Sequence, residues 1–175
     1  MNQLVSAPAR AVLPASSKTT SRERLLRFLS TTDSVVPSVL RIALGGVIFG
    51  HGLQKVFGWF GGYGIDGTMR FFGTLGMPSV VGALVIVSDF LGSLALIAGL
   101  ATRFSAAAAG AVMLGAMLLV HVPNGFFMNW GGAPHGEGYE FHLLALSMAA
   151  ALVVAGGGFA SVDAWLARQL ARSPR

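Results

Sequence analysis

Residues 37–57 read PSVLRIALGGVIFGHGLQKVF. Apolar side chains dominate the run. A proline opens it, where a helix's first N–H has no intrahelical partner to lose. The length approaches the roughly 20 residues that carry a helix through a bilayer. The stretch therefore predicts a membrane-spanning helix. It nevertheless holds Arg41, His51 and Lys55, groups that hydrocarbon accepts only at a cost.

Three further runs have the same character: about 78–100, opened by Pro78; about 104–122, with Pro123 just beyond; and about 141–154, fading into Gly156-Gly157-Gly158. The whole chain of 175 residues is 54% hydrophobic and 11% charged, against about 25% charged in a soluble domain. Mean hydropathy is +0.69. These values exclude a disordered chain, a coiled coil and a typical soluble enzyme. Four such runs also leave no amphipathic helix to cover a water-soluble core. The expected fold is all-α: an antiparallel four-helix transmembrane bundle over 37–160. A disordered tail at 1–20 and a basic amphipathic juxtamembrane segment at 21–36 precede it, and a C-terminal tail at 161–175 follows.

Charge placement predicts the orientation. Arg10, Lys18, Arg22, Arg24, Arg27 and Arg41 precede or enter the first run, Arg103 sits between the second and third, and Arg168, Arg172 and Arg175 end the chain. The connection at 58–77 has only Arg70 and Asp66, and that at 123–140 has no Lys or Arg and ends in Glu137 and Glu140. The positive-inside rule then puts both termini in the cytoplasm and these two loops outside. Residues 1–20 lack the apolar core of a signal peptide, so the expected location is a bacterial-type inner membrane. The net charge of +5 and pI of about 10.8 follow from these tails and require no nucleic acid. Trp59, Phe60, Tyr63, Phe126, Phe127 and Trp130 on one side and Trp165 on the other suit the headgroup layers. Residues 68–75 read as a short helix on the outer surface. Small residues spaced by four, as in Gly46/Gly50, Ser88/Gly92, Ala107/Ala111/Gly115 and Ser147/Ala151/Ala155, predict close helix packing and leave oligomerisation open.

The ionisable residues within the runs are few, and Asp89 is the hardest to dismiss. A charge at mid-span costs about 2.5–3.5 kcal/mol on insertion scales, so Asp89 should face inward and have a partner, or be protonated. His51 is the expected partner, with Lys55 one turn further out on the same face and Gln54 beside them. His121 closes the third run, and Glu140 and His142 open the fourth. Six titratable groups can therefore converge in the outer half of one bundle. Such clusters serve proton relays or polar ligand sites, or only a buried ion-pair network that fixes helix register. Asp89, Lys55, His121 and Glu140 are the candidate acid–base groups. His51, Gln54 and Lys55 are the candidate ligand-holding groups. His142 reads as a headgroup-level histidine and Arg41 as a snorkelling topology anchor. No metal site is expected, since His135, Glu137, Glu140 and His142 follow no ligand spacing. Gly62–Gly67 spells G-x-G-x-x-G without the strand a dinucleotide fold needs, so it reads as a turn. With no cysteine, thiolate chemistry and Cys-ligated clusters are excluded.

Taken together, these motifs resemble the DoxX family of small membrane proteins over about residues 38–166. Arg41…Gly45…Phe49-Gly50-His51-Gly52-Leu53-Gln54-Lys55 looks like its R…G…F-x-H-G-x-Q-K pattern. Gly67-Thr68…Phe71-Phe72…Leu75-Gly76-Met77-Pro78 resembles its first outer loop. Asp89-Phe90-Leu91-Gly92…Gly99-Leu100-Ala101-Thr102-Arg103 resembles the second span, with Asp where the family usually has Glu. His121-Val122-Pro123-Asn124-Gly125-Phe126-Phe127 with Gly138-Tyr139-Glu140, and Gly156…Ser161-Val162-Asp163, complete the match. The resemblance implies four membrane helices and marks His51, Lys55, Asp89, His121 and Glu140. It also implies a role in quinone-coupled oxidation, thiosulfate oxidation included, or in oxidative-stress complexes. The expectation is thus an integral membrane subunit of a quinone-linked redox or oxidative-stress assembly, with a soluble or membrane partner supplying electrons. A non-redox binding or permeation module and a membrane scaffold are the alternatives, and whether the chain is itself an enzyme is left open. A bis-histidine haem is disfavoured, because His51 lies deeper than His121 and His142.

Overall fold

The computed structural model describes residues 20–132, 134 and 136–172. The tail reading for 1–19, and the terminal residues 173–175, lie outside these. So does His135. Among the described residues the chain is helical throughout, with no strand.

Helix α1 (Ser21–Leu29) starts at a capping box: Thr20 Oγ accepts the Glu23 N–H, and the Glu23 carboxylate accepts the Thr20 N–H. Helix α2 (Val36–Phe57) has Pro37 in its first turn and stops at Gly58, whose φ of 72° is left-handed. A short 3₁₀ turn at Trp59–Gly61 leads into α3 (Gly64–Thr74), longer at its start than the surface helix expected at 68–75. Helix α4 spans Ser79–Ala98 and α5 Thr102–Asn124. Helix α6 (Glu140–Ala155) and α7 (Val162–Arg172) complete the chain. The segment expected as a C-terminal tail is thus mostly α7, which packs against α1 through an Arg22 hydrogen bond to Leu170 O at 2.5 Å.

Helices α2, α4 and α5 are long and apolar enough to cross a membrane. Helix α6 is apolar but has 16 residues, about 24 Å at 1.5 Å per residue, short of a hydrocarbon layer of about 30 Å. Residue pairs give the directions. Gly45 packs on Leu96 and Ile97 while Gly52 packs on Asp89 and Phe90, so α2 and α4 are antiparallel. Arg103 bonds Val153 O while the His121 ring meets that of His142, so α5 and α6 are antiparallel too. The shared core is Leu44, Ile48, Leu96, Ala106, Ala109, Met113, Ala145, Ala149 and Leu152.

The small-residue repeats divide by face. Gly45 and Gly52 make the α2–α4 contact: a Cβ on Gly52 would stand 2.5 Å from Asp89 O. Gly46 and Gly50 meet nothing within 4 Å, and Ala107, Ala111, Ser147 and Ala151 point outward. The close packing expected from those repeats is carried instead by Ala106, Ala109, Ala145 and Ala149. The outward faces also carry Val39, Ile42, Val80, Leu84, Leu118 and Leu144, a surface suited to lipid.

Arg41 is not a snorkelling anchor. It is 2% exposed and donates to four backbone carbonyls, those of Leu96 and Ile97 at the end of α4 and of Gly157 and Ala160 after α6. Carbonyls at helix ends lack intrahelical donors, and one planar guanidinium serves two ends at once. Asp163 does the converse for α5, its carboxylate accepting the Ala101 and Thr102 N–H groups at 2.7 and 2.8 Å. The run Gly156–Gly158 lies at this junction because a Cβ on Gly157 would reach 2.6 Å from Thr102 Oγ1.

Candidate functional site

Two turns depart from α-helical geometry. Ser88–Gly92 in α4 and Met117–His121 in α5 are π-turns. Each carries a candidate residue, Asp89 in the first and His121 in the second. A π-turn widens the helix by one residue per hydrogen-bonded ring, and such turns concentrate at functional sites. Ser93 Oγ donates to Asp89 O at 2.5 Å and to Phe90 O at 2.9 Å, occupying carbonyls of the widened turn.

Asp89 is fully buried, and its Oδ2 stands 2.7 Å from Lys55 Nζ. The partner is therefore Lys55 and not His51. Gly52, on the α2 face that touches α4, draws the Asp89 backbone in, and Lys55 reaches over one turn later on a long flexible stem. His51 lies toward the exposed side and shares a 3.0 Å hydrogen bond between its Nδ1 and Gln54 Oε1. Gln54 Nε2 in turn donates to Phe60 O at 3.3 Å. The second carboxylate oxygen, Asp89 Oδ1, has no hydrogen-bond partner.

A cavity of about 440 Å³ opens over this pair. Lys55, Asp89, His51, His121, His142 and Glu137 supply its polar lining. Val47, Phe71, Phe72, Met113, Leu119 and Phe141 supply much of the apolar remainder. The His121 and His142 rings lie 4.2 Å apart between centroids. His121 Nδ1 is 2.9 Å from Glu137 O. A carbonyl only accepts, so that nitrogen carries the hydrogen and a neutral His121 keeps its lone pair on Nε2. His142 is buried, and its Nδ1 has no partner.

Glu140 does not line this cavity. Its Oε1 accepts the Met128 N–H at 2.9 Å, and Glu137 Oε2 accepts the Asn129 N–H at 2.5 Å. Backbone bonds from Gly138, Tyr139 and Glu140 to Phe127, Gly125 and Phe126 tie the same loop. Both carboxylates hold the loop that covers the start of α6, because free loop N–H groups at a helix entrance need acceptors. No group of three or more metal-ligating side chains occurs among the described residues. Gly62–Gly67 lies in the turn and first turn of α3.

Of the sequence-marked residues, Lys55, Asp89, His51 and His121 meet at one cavity. Gln54 stands beside it and Glu140 at the loop. His142 and Glu137 are lining residues that sequence reasoning set aside. The spacing of His142 gave no signal, because its contact with His121 depends on how α5 ends.

Apolar helices of membrane-crossing length, closing on a buried lysine–aspartate pair, define a helical membrane protein. The chain belongs to the DoxX family, whose model matches residues 36–122. The matched stretch contains His51, Lys55, Asp89 and His121 and ends before Glu140 and His142. The chain is also similar to the "Putative oxidoreductase CatD" of Bacillus subtilis (strain 168), 29% identical over 125 residues, covering 71% of this chain and 82% of the relative. No solved structure matches it significantly.

Proposed function

We propose that this chain is the integral membrane subunit of a quinone-linked redox assembly, in which the cavity over Lys55 and Asp89 holds the quinone headgroup. Helices α2, α4, α5 and α6 cross the bilayer as an antiparallel four-helix bundle, with both termini cytoplasmic in an inner membrane. The short α6 is accommodated by local bilayer thinning. One observation carries the reading: the Lys55–Asp89 pair, with three histidines and Glu137, gives a few polar groups to a cavity lined mostly by apolar side chains. A planar headgroup with two carbonyl oxygens needs apolar walls and a few donors. Phe71, Phe72 and Phe141 offer the walls, and Lys55 Nζ and the histidines offer the donors. The chemistry a bound quinone supplies is two-electron, two-proton oxidation and reduction. The chain's own part is to hold the headgroup and to place Lys55, Asp89 and the lone pair of His121 Nε2 where protons can be taken up or given. Electrons come from a partner, since the chain has no cysteine to carry them. The name of the Bacillus relative supports the oxidoreductase half of this reading.

The test is the quinone content of protein purified in mild detergent, with a titration by a reduced quinone analogue. Bound quinone that falls at least tenfold in Asp89→Asn and Lys55→Ala is expected. Empty extracts with unchanged analogue binding in both variants would overturn the proposal.

A further inference from the structure

A second cavity, of about 230 Å³, lies on the loop side of the first, under the glycine turn that follows α2. Gln54, Lys55, Gly61, Gly62, Tyr63 and Thr68 line it together with Phe71 and Phe72. Three residues line both cavities: Lys55, Phe71 and Phe72. The two phenylalanines form an apolar partition, and Lys55 is the polar group they share. Lys55, whose acid partner is fully buried, thus borders cavities on two sides. One is the apolar cavity among the helices. The other is a pocket walled by an amide, a phenol and a hydroxyl beside an exposed turn, where Trp59, Phe60 and Tyr63 are 56%, 74% and 76% exposed.

We propose that the second cavity is an aqueous port, through which water and protons from the loop end reach the Lys55 ammonium past Gln54, Tyr63 and Thr68. Its volume has room for water, and Gln54, Tyr63, Thr68 and Lys55 are the lining residues that carry polar side-chain groups. Phe71 and Phe72 stand between the two cavities, so Lys55 is the polar residue at which they adjoin. The turn is held against the end of α2, since a Cβ on Gly62 would stand 2.4 Å from Gln54 O, and Gln54 bonds Phe60 O. The port's walls are therefore fixed relative to the helix that carries Lys55. The route deepens the quinone-linked reading and rests on it only for what the proton is used for.

The chain has no cysteine, so each introduced thiol is unique. Gln54→Cys lines the second cavity alone and leaves the ion pair intact. Lys55→Cys with Asp89→Asn removes both charges of the pair together. Exposed Thr74→Cys marks the loop end. In sealed vesicles a membrane-impermeant trimethylammonium methanethiosulfonate reagent is expected to label both port cysteines from the side that labels Thr74→Cys. Thr68→Trp, which fills the second cavity, is expected to slow that labelling at least tenfold. Ala116→Trp, which fills the first, should leave it within twofold. Labelling of Gln54→Cys from the other side, from neither side, or blocked by Ala116→Trp instead of Thr68→Trp would overturn the port. If the membrane orientation is opposite to that proposed, the marker and the port cysteines switch sides together and the port stands. Quinone-free extracts would sink the proposed function without touching this result.

Discussion

Lys55 Nζ and Asp89 Oδ2 stand 2.7 Å apart across the α2–α4 contact. Gly52, one turn before Lys55, lets the two backbones approach closely enough for the pair to form. The pair is buried on one side only: Asp89 is fully buried, while the Lys55 side chain is 23% exposed. Removing one partner of a buried pair leaves a charge uncompensated, at a cost of about 3–5 kcal/mol, whereas removing both is close to neutral. Lys55→Ala is therefore expected to lower the unfolding midpoint in detergent strongly. Lys55→Met with Asp89→Asn should recover most of it while abolishing analogue binding. A double variant as unstable as Lys55→Ala would refute the pairing.

Gly52 and Gly46 are six residues apart on one helix and should respond oppositely to a methyl group. Gly52→Ala forces α2 away from the Asp89 carbonyl and is expected to cost about 1–3 kcal/mol, as overpacking does. Gly46→Ala meets open space and replaces a weak helix former, so it should be neutral or stabilising. Equal thermal midpoints for the two variants would contradict the helix contact described here.

Arg41 joins the ends of α4 and α6 through a single planar group. Lys keeps the charge and cannot reach both sets of carbonyls. Arg41→Lys is expected to lose about 2–4 kcal/mol, the range of one or two charge-assisted hydrogen bonds. The loss should show as thermal or denaturant lability in detergent. A snorkelling anchor would tolerate the exchange within about 0.5 kcal/mol, as surface substitutions usually do.

His121 is expected to be the Nδ1–H tautomer when neutral, because Nδ1 faces Glu137 O at 2.9 Å. Nitrogen-15 chemical shifts of the labelled imidazole distinguish the two tautomers. An Nε2–H signal would place the lone pair on the loop side and remove His121 from the proposed acid–base set.

Much of the architecture was legible in order along the chain. Length and hydropathy marked α2, α4, α5 and α6 within a few residues of their bounds, since a helix in an apolar medium must satisfy its own backbone and needs a long apolar run. The ionisable residues within those runs were legible as a short list for the same reason, because each is costly where it stands. Which of them meet was not legible. Asp89 was expected to pair with His51 by depth, and it pairs with Lys55 because Gly52 rather than depth sets the contact. His142 looked peripheral and is buried against His121.

What the sequence determined by itself was therefore composition per helix: which segments are apolar, where the cations lie, and which few polar groups must find partners. Only the tertiary structure decided the pairing. The π-turns at Ser88–Gly92 and Met117–His121 re-aim Asp89 and His121, and a one-residue change of helical phase swings a side chain by about 100°. The Arg41 clasp and the Asp163 cap likewise join residues far apart in the chain. Periodicity is a property of one helix. Contact is a property of two, and depends on glycine approaches and widened turns whose effect appears only when both helices are in place.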